Sequence, residues 1–295
     1  MCALKAKQPE EVKATKPKML ISGESGVGKT FFALEFPVPY LFDTEGGATR
    51  EQYQAKLKKS GGVYFGKDEG SQDFKAVIEE TKALCTTKHS YRTAIYDSFT
   101  YLYMLEAAIA EADKGSDFGR DKKMANIPTR QLMSQLEKLD MNIILICHSK
   151  QKWERKGKDI IDAGSTFDGY DKLEYMLDLW IEIPKGGKTF IVRKSRIDSL
   201  RQGDSYPLSY DKFAELYGKE VIEKPSVPIV LATGEEVSRL NTLVEGLKVD
   251  AETVGKWLTK CDVDAFEDMS QPQIQSLIAY CEKKIMELTM TKKEK

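Results

Sequence analysis

The sequence predicts an α/β fold with a mostly parallel sheet, followed by a small helical module. From residue 18 onward, short apolar strand patterns alternate with amphipathic helical patterns, which is typical of a parallel sheet covered by helices. Two later strand patterns at 176–195 flank the turn "PKGGK", which predicts an antiparallel pair at the sheet edge. After "EKPSVP" at 223–228 only helical patterns follow, which predicts the separate module.

Four strands are predicted before the antiparallel pair. Each is a short apolar run: "KMLIS" (18–22), "YLFDTE" (40–45), "RTAIYD" (92–97) and "NIILICHS" (142–149). The last run is the most apolar, so we expect it to lie at the centre of the sheet, where both faces are covered by helices.

Helical patterns lie between and after these strands. In the first part of the chain they cover 29–36, 73–85, 99–112 and 129–140, and in the C-terminal part 235–247, 251–261 and 271–288. Ser98 and Asp250 are predicted N-caps, and Ser270 with Gln273 fits a capping box. The domain prediction is a mobile, Lys-rich tail (1–17), a core (18–222), a linker (223–228) and a helical module (229–295).

The composition is that of an ordinary globular protein, with 41% hydrophobic and 31% charged residues. The net charge of −1 means that any nucleic-acid contact must come from local patches. The start of the chain lacks an apolar signal region, and no apolar run reaches membrane-spanning length, so no membrane association is expected. The five cysteines are scattered and there are two histidines, which favours reduced thiols in a cytoplasmic protein over a zinc site.

The stretch "GESGVGKT" is a complete Walker A motif between a strand pattern and a helix pattern. Its glycines let the backbone approach an anion, and the amide groups and helix N-terminus behind it form an anion cradle. Lys29 is predicted to reach the β- and γ-phosphates, and Thr30 to place its hydroxyl on Mg²⁺. The predicted nucleotide-binding residues are Gly23, Glu24, Ser25, Gly26, Val27, Gly28, Lys29 and Thr30.

Acidic residues at the ends of two strands complete the predicted chemistry. Asp97 ends the strand in "AIYDS" and is the predicted second Mg²⁺ residue. Many ATPases place a glutamate directly after this aspartate, but Ser98 stands here, so the general base must come from elsewhere. The second strand ends in "FDTEGG", which offers Glu45 as the favoured base and Asp43 as the alternative.

The order of "GESGVGKT", "LFDTEGG", "AIYDS" and "IILICHS" resembles the RecA-type recombinase core. The resemblance covers roughly 18–222 and is closest to phage-encoded, core-only RecA-like ATPases associated with recombination and single-strand annealing. It implies that Glu45 is the catalytic glutamate and that His148 is the sensor residue, where RecA itself carries glutamine. RecA's polymerisation domain has no counterpart in this sequence.

The stretch "FIVRKSR" (190–196) is similar to the paired basic residues of RecA-like and ring-helicase motors, which reach the ATP of a neighbouring subunit. The resemblance therefore implies a homo-oligomer in which Lys194 and Arg196 stabilise the transition state in trans.

Single-stranded DNA is the predicted macromolecular ligand. The stretch "SKQKWERKGK" (149–158) interleaves basic residues with an aromatic, which suits phosphate contact and base stacking, and RecA-like proteins carry a mobile DNA-binding loop at this point. A second, weaker candidate is "GRDKKMAN" (119–126). The predicted DNA-binding residues are Lys150, Lys152, Trp153, Arg155, Lys156 and Lys158.

The sequence thus predicts an ATPase that uses ATP and Mg²⁺ and acts on single-stranded DNA. The resemblance further implies that it works with a single-strand-binding or annealing protein in a bacterial cell. Three alternatives stay open: a ring-type helicase motor, an ATP-gated DNA-binding scaffold with negligible turnover, and a small-molecule kinase. The kinase is disfavoured because it leaves the basic stretches without a role. No N-K-x-D guanine signature is present, which favours ATP over GTP.

Overall fold

The computed structural model describes residues 14–114, 120–157 and 159–293, so most of the predicted tail lies outside the described residues. Within them, nine strands form one sheet in the order β3-β2-β4-β5-β1-β7-β8-β9, with β6 paired to β5. The strands are β1 Lys18–Gly23, β2 Pro39–Asp43, β3 Val63–Phe65, β4 Thr93–Asp97, β5 Asn142–Lys156, β6 Asp159–Phe167, β7 Leu179–Glu182, β8 Thr189–Ser195 and β9 Ser205–Pro207.

Helices follow most strands, as the alternation of patterns predicts. The core helices are α1 Lys29–Ala33, α2 Glu51–Ser60, α3 Phe74–Thr86, α4 Phe99–Lys114, α5 Arg120–Lys138, α6 Leu173–Met176, α7 Tyr210–Tyr217 and α8 Lys219–Ile222. The later helices are α9 Gly234–Leu247, α10 Ala251–Cys261 and α11 Gln271–Lys293.

The six strands from β3 to β7 along the sheet pair in parallel, and β7, β8 and β9 pair antiparallel. The predicted fold class is therefore confirmed, including the antiparallel edge. The central position of the strand at 142–149 is also confirmed, because β5 lies between β4 and β1 and its residues 143–147 are fully buried. Three strands are additions to the predicted set: β3 and β9, of three residues each, and β6, of nine residues.

The parallel register brings several strand ends to one edge of the sheet, which we call the carboxyl edge. Gly23 at the end of β1 lies opposite His148 of β5, and Asp43 at the end of β2 lies opposite Asp97 of β4. The predicted nucleotide, metal and catalytic residues therefore belong to one edge, as expected for ligand sites in open α/β sheets.

The strand β5 does not end where the sequence predicts. It continues past His148 to Lys156 and turns back as β6, with antiparallel pairing from Ser149↔Phe167 to Lys156↔Asp159. The stretch predicted as a loop is thus one arm of a β-hairpin that extends beyond the carboxyl edge. We call residues 149–167 the basic hairpin. A strand is physically compatible with this polar sequence because neither face of an outlying hairpin needs to be apolar.

The described chain divides into two compact units. The first contains residues 14–81, 89–136 and 140–226, and its core includes Phe32, Phe36, Ile144 and Phe213. The second contains residues 82–88, 137–139 and those from 227 onward, with a helical core that includes Leu240 and Met269. No helix of the described residues is long and apolar enough to cross a membrane.

Helix caps in the second unit agree with the sequence analysis. Asp250 caps α10 by accepting a hydrogen bond from the Thr253 amide at 2.7 Å. Gln273 accepts from the Ser270 amide at 2.8 Å, which is the reach-back half of the predicted capping box.

Candidate functional site

The Walker A segment forms a tight loop between β1 and α1. Gly26 and Gly28 have φ angles of 80° and 96°, in the left-handed region that favours glycine, and Gly28 is the N-cap of α1. The strand-loop-helix arrangement expected from the sequence is therefore present. The amides of the loop and of the first turn of α1 are available to an anion in the way this motif requires.

Lys29 lies inside this loop rather than on its surface. Its side-chain Nζ donates to the carbonyls of Gly23 at 2.8 Å and Glu24 at 2.7 Å, and the residue is only 8% exposed. Burial lowers the pKa of the Lys29 ammonium, while the carboxylates of Asp97 and Glu45 oppose that effect. A cation is thus held close to the position where the motif places phosphate.

Thr30 and Asp97 form the candidate metal pair. The Thr30 hydroxyl donates to Asp97 Oδ2 at 2.6 Å. Desolvation raises the pKa of Asp97 to about 6, and the neighbouring carboxylates of Glu45 and Asp43 add to the rise, while Thr30 opposes it. One hydroxyl and one carboxylate suit Mg²⁺, which keeps several waters and takes its remaining ligands from phosphate. A divalent cation would also offset the charge repulsion that raises this pKa.

A cluster of three or more His, Cys, Asp or Glu side chains suited to a metal does not occur among the described residues. A cation at Thr30 and Asp97 would therefore need phosphate oxygens as further ligands. This ties the metal to the nucleotide rather than to the protein alone.

Glu45 and His148, predicted separately as base and sensor, are in direct contact. His148 Nε2 lies 2.8 Å from Glu45 Oε1, and the Ser98 hydroxyl donates to the same oxygen. The hydrogen bond with His148 is the main reason that the pKa of Glu45 is lowered and, reciprocally, that the pKa of His148 is raised. The geometry favours an ionised Glu45 beside a protonated His148.

Asp43, the alternative base, is engaged elsewhere. Its carboxylate accepts hydrogen bonds from the amides of Gly46 and Gly47 at 2.9 Å and of Ala48 at 2.8 Å, and the residue is 4% exposed. The Glu45 side chain, in contrast, is 42% exposed. Asp43 therefore fixes the turn that follows β2, and Glu45 is the carboxylate that water can reach.

Ser98 has a larger part in this arrangement than the sequence indicates. Its hydroxyl caps α4 by accepting from the Tyr101 amide at 3.2 Å, as predicted, and it also donates to Glu45. Its own amide donates to the Thr44 hydroxyl at 2.8 Å, and that hydroxyl donates back to the Ser98 carbonyl at 3.0 Å. The two strand ends that carry Glu45 and Asp97 are thereby held together.

A second element that the sequence analysis treated only as a turn borders the Walker A loop. The connection between β7 and β8 contributes Lys185, Gly186 and Gly187 to a pocket of about 420 Å³. The other wall of that pocket is formed by Walker A residues 24–28. The signal was present in the lysines and paired glycines of "PKGGK", but the strand pattern alone gave no reason to place it beside the loop.

Lys194 and Arg196 lie towards the end of the sheet opposite the carboxyl edge, and therefore away from the Walker A loop. Lys194 is opposite Trp180, which is opposite Leu20 of β1, and the Arg196 amide donates to the Asp178 carbonyl at 2.9 Å. At about 3.3 Å per strand residue, Leu20 is roughly 10 Å from Gly23 at the end of β1. The two cations thus do not join the nucleotide site of their own chain.

Both side chains contact the segment that enters β7. Lys194 Nζ donates to the Leu177 carbonyl, and Arg196 donates to the Tyr175 carbonyl at 2.6 Å and lies 3.3 Å from Asp178. Desolvation, with Arg196 nearby, lowers the pKa of Lys194. Their action on a neighbouring subunit stays a prediction.

The candidate DNA-binding residues from Lys150 to Lys156 belong to the outgoing strand of the basic hairpin. Trp153 is 59% exposed, and Lys152 is exposed beside it. Lys150 is partly neutralised, because its Nζ lies 3.0 Å from Asp168 and 4.0 Å from Asp171.

Other parts of the predicted DNA interface lie outside the described residues. Lys158 lies outside the described residues, as do the side chains of Arg155 and Lys156. In the weaker candidate at 119–126, residue 119 is outside the described residues and the rest falls in α5. DNA binding by either stretch stays a prediction.

Comparisons with known proteins place the chain in a family. Two solved structures share low similarity with it: a protein of Pyrococcus horikoshii OT3 (11% identity, TM-score 0.35, covering 66% of this chain and 94% of that one), and a prototypical ATPase from the type III secretion system of pathogenic bacteria (13% identity, TM-score 0.41, covering 90% and 79%). No curated protein matches the chain. The AAA domain family matches residues 15–199, which include the Walker A loop, Glu45, Asp97 and His148. Since that match spans more than half of the chain, the protein belongs to the AAA domain family and is an ATPase.

Proposed function

We propose that this ATPase is RecA-like, binds single-stranded DNA through the basic hairpin, and assists recombination or strand annealing. One observation carries the proposal: β5 brings His148 to Glu45 and then continues unbroken into the hairpin that exposes Trp153. The candidate hydrolytic pair and the candidate DNA-binding arm therefore share one secondary-structure element.

The nucleotide in this proposal is ATP, held by Walker A residues 23–30. Lys29 binds the terminal phosphates from its position inside the loop. Thr30 and Asp97 hold Mg²⁺, which when bound neutralises charge that develops on the phosphates. Thr30 keeps its hydroxyl in place because it belongs to the first turn of α1.

Glu45 is the general base. Both of its hydrogen bonds, from His148 and Ser98, are made to Oε1, and within the described residues no group hydrogen-bonds to Oε2. Oε2 is thus free to orient a water and accept its proton, while Oε1 fixes the carboxylate. The lowered pKa of Glu45 keeps the carboxylate ionised before the proton is transferred.

The hairpin is tied to His148 by backbone contacts at its base. The Asp168 amide donates to the His148 carbonyl at 2.8 Å, and the His148 amide donates to the Thr100 hydroxyl at 3.0 Å. That hydroxyl in turn donates to the Asp168 carbonyl at 2.5 Å. A movement of the hairpin on binding a ligand is therefore expected to displace His148 relative to Glu45, and so to change hydrolysis.

Single-stranded DNA suits this arm because an exposed indole and several basic residues combine stacking with charge. Stacking of a base on an aromatic side chain contributes about 1–3 kcal/mol, and it does not require a particular base. Because the net charge is −1, the attraction must come from a local basic patch, and the basic hairpin is the proposed patch.

The experiment that tests the proposal measures ATP turnover and DNA affinity together. Wild-type protein is expected to bind a single-stranded oligonucleotide and to hydrolyse ATP faster in its presence. Trp153→Ala is expected to lose roughly tenfold in DNA affinity while keeping basal turnover. Tyr64→Ala is the matched control, since Tyr64 is also exposed but lies on β3 at the far edge of the sheet.

The outcomes separate the competing functions. Equal DNA affinity of wild type and Trp153→Ala would contradict the hairpin assignment. Processive strand separation would indicate a ring-type helicase motor, DNA binding without turnover would indicate an ATP-gated scaffold, and transfer of phosphate to a small molecule would indicate a kinase.

The proposal includes a homo-oligomer in which Lys194 and Arg196 act on the neighbouring subunit's ATP. Its support is that both lie away from the nucleotide loop of their own chain. Mixing inactive Lys29→Ala with Arg196→Ala is then expected to restore part of the turnover, because each variant supplies what the other lacks. Absence of any restoration in subunits shown to exchange would rule out action in trans.

The biological setting completes the proposal. The sequence resemblance points to a phage-encoded protein that acts in the bacterial cytoplasm with a single-strand-binding or annealing protein. Co-purification with such a protein only when single-stranded DNA is present is the expected result, and no association under that condition would contradict the partner.

A further inference from the structure

The turn between β7 and β8 is packed directly on the Walker A loop. A Cβ placed on Gly187, which has a φ of 62°, would lie 2.5 Å from the Val27 carbonyl oxygen. A Cβ placed on Gly23 would lie 2.7 Å from the Ile183 carbonyl oxygen. Both contacts are with backbone atoms, so only glycine permits these approaches. The first joins the turn (184–188) to the Walker A loop, and the second joins the end of β1 to the residue that leads from β7 into the turn.

This packing places the turn across a pocket from the Walker A loop. Residues 185–187 face Walker A residues 24–28 across the pocket of about 420 Å³. The turn's side of the pocket carries one cation, Lys185, whose side chain is exposed and, within the described part of the chain, has no hydrogen bond or ion pair. Its flexible stem can therefore bring the ammonium group to an anion bound in the loop without breaking a contact.

The negative charge of fully ionised ATP exceeds what Lys29 and one Mg²⁺ neutralise together, so a further cation is favourable. Within its own chain, Lys29 supplies one positive charge, and Lys194 and Arg196 lie too far along the sheet to supply another. Lysine binds phosphate as a point charge and needs no fixed orientation, which suits a residue on a turn. Lys185 lies beside the loop that holds the phosphates.

We propose that Lys185 is a second phosphate-binding lysine, which contacts the polyphosphate of the nucleotide bound in its own chain. The interaction is electrostatic and does not require DNA or a second subunit. It is thus independent of the proposed role in recombination, and it adds to the ATPase site a residue outside the Walker A motif.

The competing explanation is that Lys185 only offsets the charge of Glu24, which lines the same pocket. The two explanations differ in their dependence on the ligand. A phosphate contact strengthens with the number of phosphates, whereas neutralisation of Glu24 becomes unnecessary once Glu24 carries no charge.

The test measures the affinities of the protein for ATP, ADP and AMP by calorimetry, with Mg²⁺, without DNA, and at low and high salt. Lys185→Ala is expected to weaken ATP binding about three- to tenfold at low salt, ADP less, and AMP within about twofold. Lys185→Arg is expected to keep most of the affinity. Lys188→Ala is the matched control: it lies in the same turn but outside the pocket lining, and it should bind like wild type.

Several results would overturn the inference. One is an equal loss for ATP and AMP in Lys185→Ala, and another is no loss for any of the three. A third is full recovery of ATP affinity when Glu24→Gln is added to Lys185→Ala, which would establish the competing explanation. Wild-type protein that fails to bind ATP would also overturn it, whereas failure of DNA binding would affect only the recombination proposal. Equal unfolding temperatures of the variants would exclude misfolding as the cause.

Discussion

The carboxyl edge and the basic hairpin differ in how their side chains are held. At the edge, the ionisable side chains form hydrogen bonds within the chain and shift one another's pKa values; they are Lys29, Glu45, Asp97 and His148. On the basic hairpin, which leaves the same edge along the same strand, Trp153 faces solvent. The edge is specified by contacts within the chain. The hairpin presents an indole whose exposed face is available to a ligand outside the chain.

The largest expected effect is the loss of ATP hydrolysis when Glu45, the proposed general base at the carboxyl edge, is replaced. Glu45→Gln keeps the shape and the hydrogen bond from Ser98 but removes the proton acceptor. Hydrolysis should therefore fall about 100-fold or more, while ATP binding is retained. Single-turnover hydrolysis and equilibrium ATP binding measure the two effects separately.

Lys29→Ala is the control for Glu45→Gln, because loss of the buried cation should abolish binding as well as turnover. Wild-type hydrolysis by Glu45→Gln would show that the base is wrongly assigned. Asp43 would then be tested, although its three amide contacts make its replacement a perturbation of the turn.

Most residues of the carboxyl edge were predictable from the sequence, because short motifs at the ends of strands identify them. A glycine-rich loop after a strand, and acidic residues at the ends of neighbouring strands, must meet if the sheet is parallel. The contact between Glu45 and His148 follows from that rule once the strand order is known. The link through Ser98 and Thr44 was not predictable, since it depends on the separation of two strand ends rather than on any residue pattern.

The hairpin was harder to predict for a physical reason. Its outgoing strand, residues 149–156, is polar apart from Trp153, so it has none of the alternation that marks a half-buried strand. The strand is recognised only through its pairing with β6. The turn at 184–188 was recognised as a turn, but its position beside the Walker A loop depends on β7 pairing with β1 across some 160 residues of chain. The three-residue strands β3 and β9 are too short for a periodic pattern.

The second effect concerns the charge of the hairpin. Replacing Lys152, Arg155 and Lys156 by alanine should weaken single-stranded DNA binding to all sequences alike. Each phosphate contact contributes about 0.7 to the slope of log affinity against log salt, so the slope should decrease by about 2. The measurement is DNA affinity at several salt concentrations with ATP present.

The control for this charge effect replaces Lys58, Lys59 and Lys75, three exposed lysines on α2 and α3. Similar slopes for wild type and the hairpin variant would remove the hairpin from consideration. Attention would then pass to 119–126 and to the Lys-rich N-terminal tail.

The third effect is a change in the free energy of unfolding caused by Asp97 at the carboxyl edge. Because the pKa of Asp97 is raised to about 6 from its ordinary value of 3.8, the folded protein loses stability as the pH rises through that interval, and the full penalty is present at pH 7. Asp97→Asn should remove it and stabilise the nucleotide-free protein by about 1–2 kcal/mol, which allows for screening by nearby solvent.

The same replacement should abolish the additional stabilisation that Mg²⁺ gives with ATP, because the metal loses its carboxylate. Unfolding temperatures at pH 7, with and without Mg²⁺ and ATP, measure both changes. If the Asp97→Asn variant is less stable than wild type without ligands, the carboxylate contributes to the fold rather than opposing it.

The smallest expected effect is the pH dependence of the Glu45–His148 pair. The pKa of His148 is raised above 6.5, so its contribution to stability is fully present below pH 6.5 and is lost as the pH rises through the folded value. The pKa of Glu45 is lowered below 4.5, so its contribution is present above pH 4.5 and is lost as the pH falls through the folded value. The pair therefore contributes most between pH 4.5 and 6.5.

NMR titration can follow His148 directly, because the sequence contains only one other histidine, His89, and a His89→Gln variant assigns the signals. The pKa of His148 should be above 6.5 in the wild type and should fall towards 6.5 in Glu45→Gln, where the charge is lost but the side chain remains. Trp153→Ala is the matched control and should leave the titration unchanged without DNA. If DNA binding to the hairpin lowers the pKa of His148 in the wild type, the hairpin and the edge are coupled through this contact. An unchanged titration on saturation with DNA would show that the two regions share a strand but act independently.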